Sequence, residues 1–262
     1  MKELSILFIG DIVGKTGRRM VKTFLPLAKG EYKIDLVIAN GENLAGGFGI
    51  TREKAEEIFN SGVNIITSGN HIWDKKEILN FIENEPRILR PANFPDQVPG
   101  RGSTLVNVNS FKVGIINLQG RIFMEPINSP FEIAIREIEK IKKETNIIIV
   151  DFHGEATSEK TAMGWFLDGK VSAVIGTHTH VMTADEKILP NGTAYITDVG
   201  MTGAKDSVIG IKKELALTRF LKSIPQRLEA ENGKGIFSAV VIKIDSLSGK
   251  ALEIKRIFFE ET

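Results

Sequence analysis

The 262-residue chain has no cysteine and no apolar run long enough to cross a membrane. Without cysteine, the protein can form neither a disulfide nor a cysteine-ligated zinc site, and it cannot use a thiolate nucleophile. The apolar run from Leu4 to Ile9 is too short for a secretory signal, and Asp11 follows it closely. A membrane-spanning helix needs roughly 20 predominantly apolar residues. We therefore expect a soluble, cytoplasmic protein that has no membrane partner.

A strong excess of one charge is also missing, because 34 basic and 33 acidic residues leave a net charge of +1. Both signs are mixed along the chain, which does not favour direct binding of nucleic acid but is compatible with a local site for a small phosphate ligand. The hydrophobic content of 42% is enough for a sizeable core. Since the sequence contains no repeat, low-complexity tract or evident linker, we predict a single domain over residues 1–262.

Short runs of apolar and β-branched residues recur along the chain and predict buried strands, because they are continuously apolar rather than alternating. The predicted strands are 4–9, 35–39, 63–67, 147–150 and 171–175. Helical spacing and capping residues predict helices over 51–59, 74–82, 131–143 and 212–221. This alternation of strands and helices predicts an α/β sandwich with a mostly parallel sheet.

Two other stretches predict antiparallel hairpins. Residues 104–108 and 112–117 flank the turn Asn109-Ser110, and residues 237–244 and 251–258 flank a turn close to the C-terminus. Between 85 and 100 the chain is punctuated by four prolines, so we interpret this segment as a loop that crosses the molecule.

Histidine is scarce, and its positions share a pattern. His71, His153, His178 and His180 all stand in short motifs with Gly, Asn, Asp or Glu, and each motif follows an apolar β-like run. Imidazole is the commonest metal ligand and the main proton carrier near neutral pH. A single histidine can simply fall in a loop, but the shared pattern favours metal chemistry.

Polar clusters follow five of the predicted strands, and ligands of open α/β sheets bind beyond the carboxyl ends of strands. The candidate metal ligands in these clusters are Asp11, Glu42, Asn43, Asn70, His153, His178 and His180. A single ion needs about four protein ligands, so seven donors favour two ions ~3.5–4 Å apart that share a carboxylate. Oxygen and nitrogen donors suit manganese, iron, magnesium or zinc. If the backbone is extended, His178 and His180 project the same way and each could bind a different ion.

Simpler roles stay open for several of these residues. Asp11 could cap the next helix, Asn43 or Asn70 could hold a left-handed turn, and His153 could be a core histidine bonded to backbone. A double structural role for His178 and His180 is the weakest of these alternatives.

Two glycine-rich segments suggest contacts with phosphate or substrate. Gly10 to Thr16 resembles a phosphate-binding P-loop, but its first glycine falls one position late, where Ile9 should be glycine, and the carboxylate of Asp11 would face the phosphates. We therefore do not predict a nucleoside triphosphatase. Residues 45–49 are interpreted as a loop that faces the substrate, with Gly47 as a candidate substrate contact.

The same motifs resemble those of calcineurin-like metallophosphoesterases. Asn70-His71 is similar to the superfamily's G-N-H block, His153 to its lone histidine, and residues 176–180 to its G-H-x-H block. Two blocks depart from the pattern, because the opening D-x-H is Asp11-Ile12-Val13 and the G-D block is Gly41-Glu42-Asn43. These departures are shared with the bacterial YmdB-like 2′,3′-cyclic-nucleotide 2′-phosphodiesterases. The stretches that resemble this subfamily are 8–14, 41–49, 68–74, 151–160, 176–181 and 197–203.

The resemblance implies a sandwich of central mixed β-sheets flanked by helices, with a dinuclear metal site. It implies that one ion is held by Asp11, Glu42, Asn43 and His180, with Asn43 replacing the missing histidine. The other ion would be held by Glu42, Asn70, His153 and His178. Iron, manganese or magnesium-type ions are implied, with zinc open, and so is a homo-oligomer.

An enzyme of this kind is expected to hydrolyse a small 2′,3′-cyclic nucleotide to a nucleoside 3′-phosphate by attack of a metal-bridged hydroxide. His71 lies next to a ligand without being needed as one, so it is our candidate for the general acid. Asp74 could orient His71, or it could cap the following helix. Arg121 could bind phosphate or serve only at the surface.

Other interpretations stay open. The same ligands could serve a 5′-nucleotidase, a 3′,5′-cyclic phosphodiesterase or a phosphoprotein phosphatase. The protein could be a regulator of RNA turnover whose catalysis is secondary. A purely structural metal site fits less well, because such sites usually close with four ligands.

Overall fold

The computed structural model describes residues 3–261. Its strands are β1 (Glu3–Ile9), β2 (Asp11–Ile12), β3 (Leu36–Asn40), β4 (Ile65–Thr67), β5 (Ser103–Val108), β6 (Phe111–Gln119), β7 (Ile148–His153), β8 (Ala173–Thr177), β9 (Lys187–Ile188), β10 (Ala194–Ile196), β11 (Met201–Ala204), β12 (Gly235–Asp245) and β13 (Ala251–Glu260). Its α-helices are α1 (Gly14–Tyr32), α2 (Arg52–Asn60), α3 (Pro130–Ile141), α4 (Thr157–Leu167) and α5 (Lys213–Lys222).

The strands form two mixed sheets. The first has the order β2-β11-β12-β1-β3-β4, with β13 also paired to β12, and the second has the order β5-β6-β7-β8-β10-β9. The run β1-β3-β4 is parallel, and so is the run β6-β7-β8-β10. Antiparallel partners adjoin both runs, because β12 lies beside β1 and β5 forms a hairpin with β6. The predicted α/β sandwich is confirmed: the parallel runs are present, and their antiparallel partners make both sheets mixed, as the resemblance implied.

Side chains of β1 alternate between two buried faces. Leu4, Ile6 and Phe8 pack between the two sheets, whereas Leu7 and Ile9 pack towards α1 and α2. A separate apolar cluster lies between the outer face of the second sheet and helices α3 and α4. The layers therefore run helix, sheet, sheet, helix, and both inner sheets are buried on two faces as the continuous apolar runs predicted.

Most predicted elements are present within a few residues of their expected ends, including both hairpins. The predicted helix over 74–82 is wrong, because the chain forms two 3-10 helices there, Lys76–Asn80 and Ile82–Asn84. The side chain of Glu77 accepts a hydrogen bond from the Arg52 N–H instead of completing a capping box. Helices α1 and α4 are additions that the sequence patterns did not predict.

β1 and β13 come from opposite ends of the chain and both pair with β12. Single-domain organisation stays a prediction that this shared strand favours. Among the helices of residues 3–261, none is long and apolar enough to cross a membrane.

Candidate metal centre

The predicted ligands follow the ends of strands from both sheets. Asp11 begins β2, Glu42 and Asn43 follow β3, and Asn70 opens a 3-10 helix that follows β4. His153 is the last residue of β7, and His178 and His180 follow β8. Because the parallel runs of both sheets end at the same edge of the sandwich, these side chains meet.

The donors form two groups around Glu42. In one group, His153 Nε2 lies 3.1 Å from Glu42 Oε1, 3.2 Å from Asn70 Oδ1 and 2.9 Å from His178 Nδ1. In the other, His180 Nε2 lies 3.3 Å from Asn43 Nδ2 and 3.7 Å from Asp11 Oδ1. Asn43 Nδ2 also lies 3.3 Å from Glu42 Oε1, so Glu42 stands between the groups. The grouping matches the two ligand sets that the resemblance implies.

Hydrogen bonds among the donor side chains leave some of their polar atoms without a suitable partner, which a bound cation would supply. Asp11 Oδ1 is buried without a hydrogen-bond donor among the residues that the structure describes. Single donor atoms of Glu42, His153 and His178 all lie within 4.8 Å of one another. His153 Nε2 faces two oxygens and a second imidazole nitrogen, more partners than one N–H can satisfy. A positive ion held among these atoms would satisfy the acceptors together, and oxygen and nitrogen donors suit divalent iron, manganese, magnesium or zinc.

Hydrogen bonds fix the orientation of the three histidines. His153 Nδ1 donates to the Thr177 hydroxyl at 2.9 Å, and that hydroxyl donates to Asp151 at 2.8 Å. His180 Nδ1 donates to the carbonyl of Ile209 at 2.8 Å. The remaining nitrogens of both rings face the donor cluster, as is usual for metal-ligating histidines.

His178 is oriented through its other ring nitrogen, Nε2, rather than through Nδ1. Its Nε2 lies 3.1 Å from the carboxylate of Glu155, so that Nδ1 faces His153 and the cluster. Glu155 was not predicted as a site residue, although its place two positions after His153 was a signal that could have suggested it.

The backbone of the two-histidine segment is not extended. His178 and His180 have φ values of 102° and 66°, so the extended backbone from which they would project the same way is not present. The Asp198 carboxylate accepts the Thr179 N–H at 3.0 Å and its hydroxyl at 2.8 Å, and Asp11 accepts the His178 N–H at 3.2 Å. These bonds hold the segment in a tight turn that still directs the two imidazoles to different groups.

The pKa values follow from burial and charge. Burial by itself lowers the pKa of His180, but the carboxylate of Asp11, 3.7 Å from Nε2, outweighs it and raises that pKa to about 9. Burial and the adjacent His153 lower the pKa of His178 to about 3. Burial alone would raise the pKa of Asp11, yet the imidazoles of His180 and His153 bring it below the usual carboxyl range.

A cleft of about 360 Å³ opens over these donors. Its polar lining includes Glu42, Asn43, His71, Glu155, His178 and His180, and its apolar lining includes Val13, Phe48, Ile209, Ile211 and Leu228. Gly47, the candidate substrate contact, lines the cleft with a left-handed φ of 101°. Arg219 and Leu228 complete the wall from far along the chain, and no local sequence pattern indicated them.

His71 faces the cleft without joining the two donor groups. Its Nδ1 lies 2.9 Å from Asp74 Oδ2, its backbone N–H donates to Glu42 at 3.0 Å, and its ring packs edge-on against Phe48 at 5.0 Å. Asp74 is therefore placed to orient His71, and it does not cap the next helical segment.

Arg121 does not line the cleft. Its backbone N–H donates to Glu159, and its guanidinium lies 3.5 Å from the carbonyl of Ile127. The structure therefore places Arg121 outside the lining of the cleft, and its contact with phosphate stays a prediction.

Comparisons with known proteins agree with the geometry. A family model described as "YmdB-like protein" matches residues 7–257. The chain is 50% identical over 258 residues to the 2′,3′-cyclic-nucleotide 2′-phosphodiesterase of Bacillus subtilis, with 98% of each chain covered. It superposes with a TM-score of 0.94 on the crystal structure of a novel phosphatase from Mycoplasma pneumoniae, at 36% identity, covering 99% of this chain and 94% of that one.

A more distant likeness concerns the fold alone. The NAD nucleotidase of Haemophilus influenzae superposes with a TM-score of 0.64 at 18% identity, covering 99% of this chain and 56% of that one. The two mixed sheets flanked by helices are thus the fold that nucleotidases of this type also have, as the resemblance implied.

Proposed function

Because this chain belongs to the YmdB-like protein family, we propose that it is a metal-dependent phosphodiesterase that hydrolyses 2′,3′-cyclic nucleotides to nucleoside 3′-phosphates. The observation that carries the proposal is the pair of donor groups that meet at Glu42, with His71 beside them in the same cleft. Asp11, Asn43 and His180 would hold one ion with Glu42, and Asn70, His153 and His178 would hold the other. The donors favour iron, manganese or magnesium, with zinc also compatible.

The cleft suits a small cyclic phosphate. Its volume of about 360 Å³ lies in the range of small-ligand pockets. The phosphate would lie at the end lined by Glu42, His178 and His180, and the ribose and base would pack towards Phe48 and Leu228 at the apolar end.

When bound, a pair of ions supplies an acidified water molecule as nucleophile and positive charge for the phosphoryl oxygens. His71 is the side chain of this protein that would protonate the leaving group. As the bond between phosphorus and O2′ breaks, His71 Nε2 donates a proton to O2′, and Asp74 holds the ring through Nδ1 at 2.9 Å. The phosphate then stays on O3′, and the product is the nucleoside 3′-phosphate.

The backbone of His71 also fixes the position of this residue relative to Glu42. Its N–H donates to Glu42 Oε2 at 3.0 Å, so the acid and the central carboxylate are fixed to each other. A phosphate held by ions that Glu42 binds would therefore have its leaving oxygen within reach of the His71 side chain.

A comparison of kcat/KM for 2′,3′-cyclic AMP, 3′,5′-cyclic AMP, an aryl phosphodiester and a nucleoside 5′-phosphate tests the proposal. We expect 2′,3′-cyclic AMP to have the highest value and to yield adenosine 3′-phosphate alone. A higher value for 3′,5′-cyclic AMP or for the 5′-phosphate would assign the site to another metallophosphoesterase reaction.

A further inference from the structure

A second cavity of about 590 Å³ adjoins the cleft. The two share Phe48, His71, Arg219 and Leu228 as a common wall. The second cavity is also lined by Ala45, Gly46, Asp74, Lys75, Gln226, Arg227 and Glu229. Because His71 faces both, a ligand whose leaving oxygen meets His71 can extend from the cleft into this second cavity.

The cations of the second cavity form no direct ion pair within residues 3–261, although Arg227 lies near enough to Glu229 for their charges to interact. Within residues 3–261, none of Lys75, Arg219 and Arg227 has a carboxylate oxygen within 4.0 Å. Of the two carboxylates in the same cavity, Glu229 pairs with Lys212 at 2.6 Å, and Asp74 lies 2.9 Å from the imidazole of His71. Lys75, Arg219 and Arg227 therefore outnumber the carboxylates of the cavity, and a local excess of positive charge in a concave surface attracts an anion.

The covalent structure of a 2′,3′-cyclic nucleotide limits where a second phosphate can be attached. The 2′ and 3′ oxygens carry the cyclic phosphate, and the 5′-oxygen on the other side of the ribose is the only further position at which a natural nucleotide carries phosphate. The second cavity shares Phe48 and Leu228 with the cleft but is lined by none of the candidate metal ligands. A ribose packed against this shared wall, with its cyclic phosphate at the metal ligands, would therefore have its 5′-oxygen towards the second cavity.

We propose, resting on the function proposed above, that the second cavity binds a phosphate on the 5′-oxygen of the substrate. The preferred substrates are then 2′,3′-cyclic nucleotides that carry a 5′-phosphate, either as a monoester or as the phosphodiester that links the cyclic end of an RNA oligonucleotide to the preceding nucleotide. Lys75 and Arg227 are the specificity-determining residues that belong to the second cavity alone.

The net charge of the whole chain does not reveal the local positive charge of the second cavity. A value of +1 argued against a surface that binds nucleic acid, and it still does so for a long duplex. Lys75 lies far from Arg219 and Arg227 in the sequence, so the three produce a local excess only in the folded chain.

The test compares three substrates on the protein as purified: adenosine 2′,3′-cyclic phosphate, its 5′-phosphorylated form, and the dinucleotide ApA with a terminal 2′,3′-cyclic phosphate. We expect kcat/KM to be about tenfold higher for the second substrate than for the first, which is the effect of one charge-assisted contact. A similar gain for ApA includes oligonucleotide ends among the substrates, and a gain confined to the 5′-phosphorylated form restricts the site to the monoester. The gain falls with added salt because the cations are partly exposed.

The double variant Lys75→Gln, Arg227→Gln removes the gain and leaves the rate on adenosine 2′,3′-cyclic phosphate unchanged. Lys76→Gln is the matched control, because this neighbouring lysine is exposed and lies outside both cavities. Equal kcat/KM for all three substrates, or a gain that survives the double variant, overturns the proposal.

The absence of phosphodiesterase activity would be a separate outcome from the absence of a 5′-phosphate site. If no cyclic substrate is hydrolysed, calorimetric titration with adenosine 3′,5′-bisphosphate and with adenosine 3′-phosphate still tests the cavity. Tighter binding of the bisphosphate that depends on Lys75 and Arg227 supports the inference, and equal affinity overturns it.

Discussion

The ammonium of Lys160 donates to the carboxylate of Asp198 at 2.6 Å, and both side chains are 1% exposed. The same carboxylate accepts the N–H and hydroxyl of Thr179 and, through its other oxygen, the N–H of Gly200. Helix α4 is thereby tied to the turn that carries His178 and His180. This buried pair is outside the cleft, yet it fixes two of the candidate ligands.

Lys160→Met leaves the carboxylate of Asp198 buried without its charge partner. We expect a loss of about 3–5 kcal/mol in the free energy of unfolding, because removing one partner of a buried ion pair is strongly destabilising. Metal content of the protein that still folds is expected to fall as well, since the turn of His178 and His180 is released. Urea unfolding and elemental analysis measure the two effects. Lys143→Met, at an exposed position, is the control, and a Lys160 variant as stable as that control would show that the pair does not hold the fold.

Asp185 makes stability depend on pH in the acid range. Burial raises its pKa, but hydrogen bonds from Thr183 and Thr197 outweigh burial and bring the pKa below the usual value. As pH falls, the unfolded chain therefore takes up this proton first, so the stabilisation is present above the unfolded pKa of about 3.9 and is lost below it. Asp185→Asn should be less stable than the parent near neutral pH, with a difference that shrinks below about pH 4.

Urea unfolding of both proteins at several pH values measures this difference, with Asp206→Asn as an exposed control. A difference that stays constant from neutral to acid pH would mean that the charge of Asp185 contributes nothing.

His71→Ala should lower kcat on 2′,3′-cyclic AMP by about 10²–10⁴-fold while metal content and fold are retained, because the poor leaving oxygen loses its proton donor. A p-nitrophenyl phosphodiester has a good leaving group that needs no proton, so its rate should fall far less. Asp74→Asn is expected to give a smaller loss with the same dependence on leaving group. Equal losses on both substrates would instead indicate that His71 acts in binding or in ligation.

Glu155→Gln should weaken metal binding about 10–100-fold, because Glu155 fixes the ring of His178 through Nε2 at 3.1 Å. We expect activity to return when metal is supplied in excess, which separates a positioning role from a catalytic one. Glu132→Gln, exposed on α3, is the control. Unchanged metal affinity measured by competition with a chelator would contradict the role of Glu155.

The sequence indicated the candidate ligands that the structure brings together, because their positions are local features. Each follows a short apolar run, and the ends of parallel strands meet at one edge whatever the loops do. The turn at His178 and His180 was not predictable in the same way. Its left-handed backbone depends on Asp198, a partner that comes from a later strand end.

Helix α1 shows a different limit of the sequence patterns. It contains Pro26 and several glycines, which oppose helix formation by local propensity. The helix forms because Met20, Val21 and Leu25 are fully buried against the first sheet. At Gly17, where a Cβ would collide with the carbonyl of Thr202, glycine allows the close approach of helix and strand. The second cavity could not be predicted from sequence patterns for a related reason, since residues distant in the sequence form it only after folding.

The most direct measurement is elemental analysis of the untreated protein, with hydrolysis of 2′,3′-cyclic AMP assayed on the same sample. We predict about two metal ions per chain, activity that is lost on chelation and restored on reloading, and adenosine 3′-phosphate as the product. Glu42→Gln should keep the native circular dichroism spectrum and lose turnover. Full activity in a metal-free sample, or parental rates in Glu42→Gln, would contradict a dinuclear centre built on Glu42.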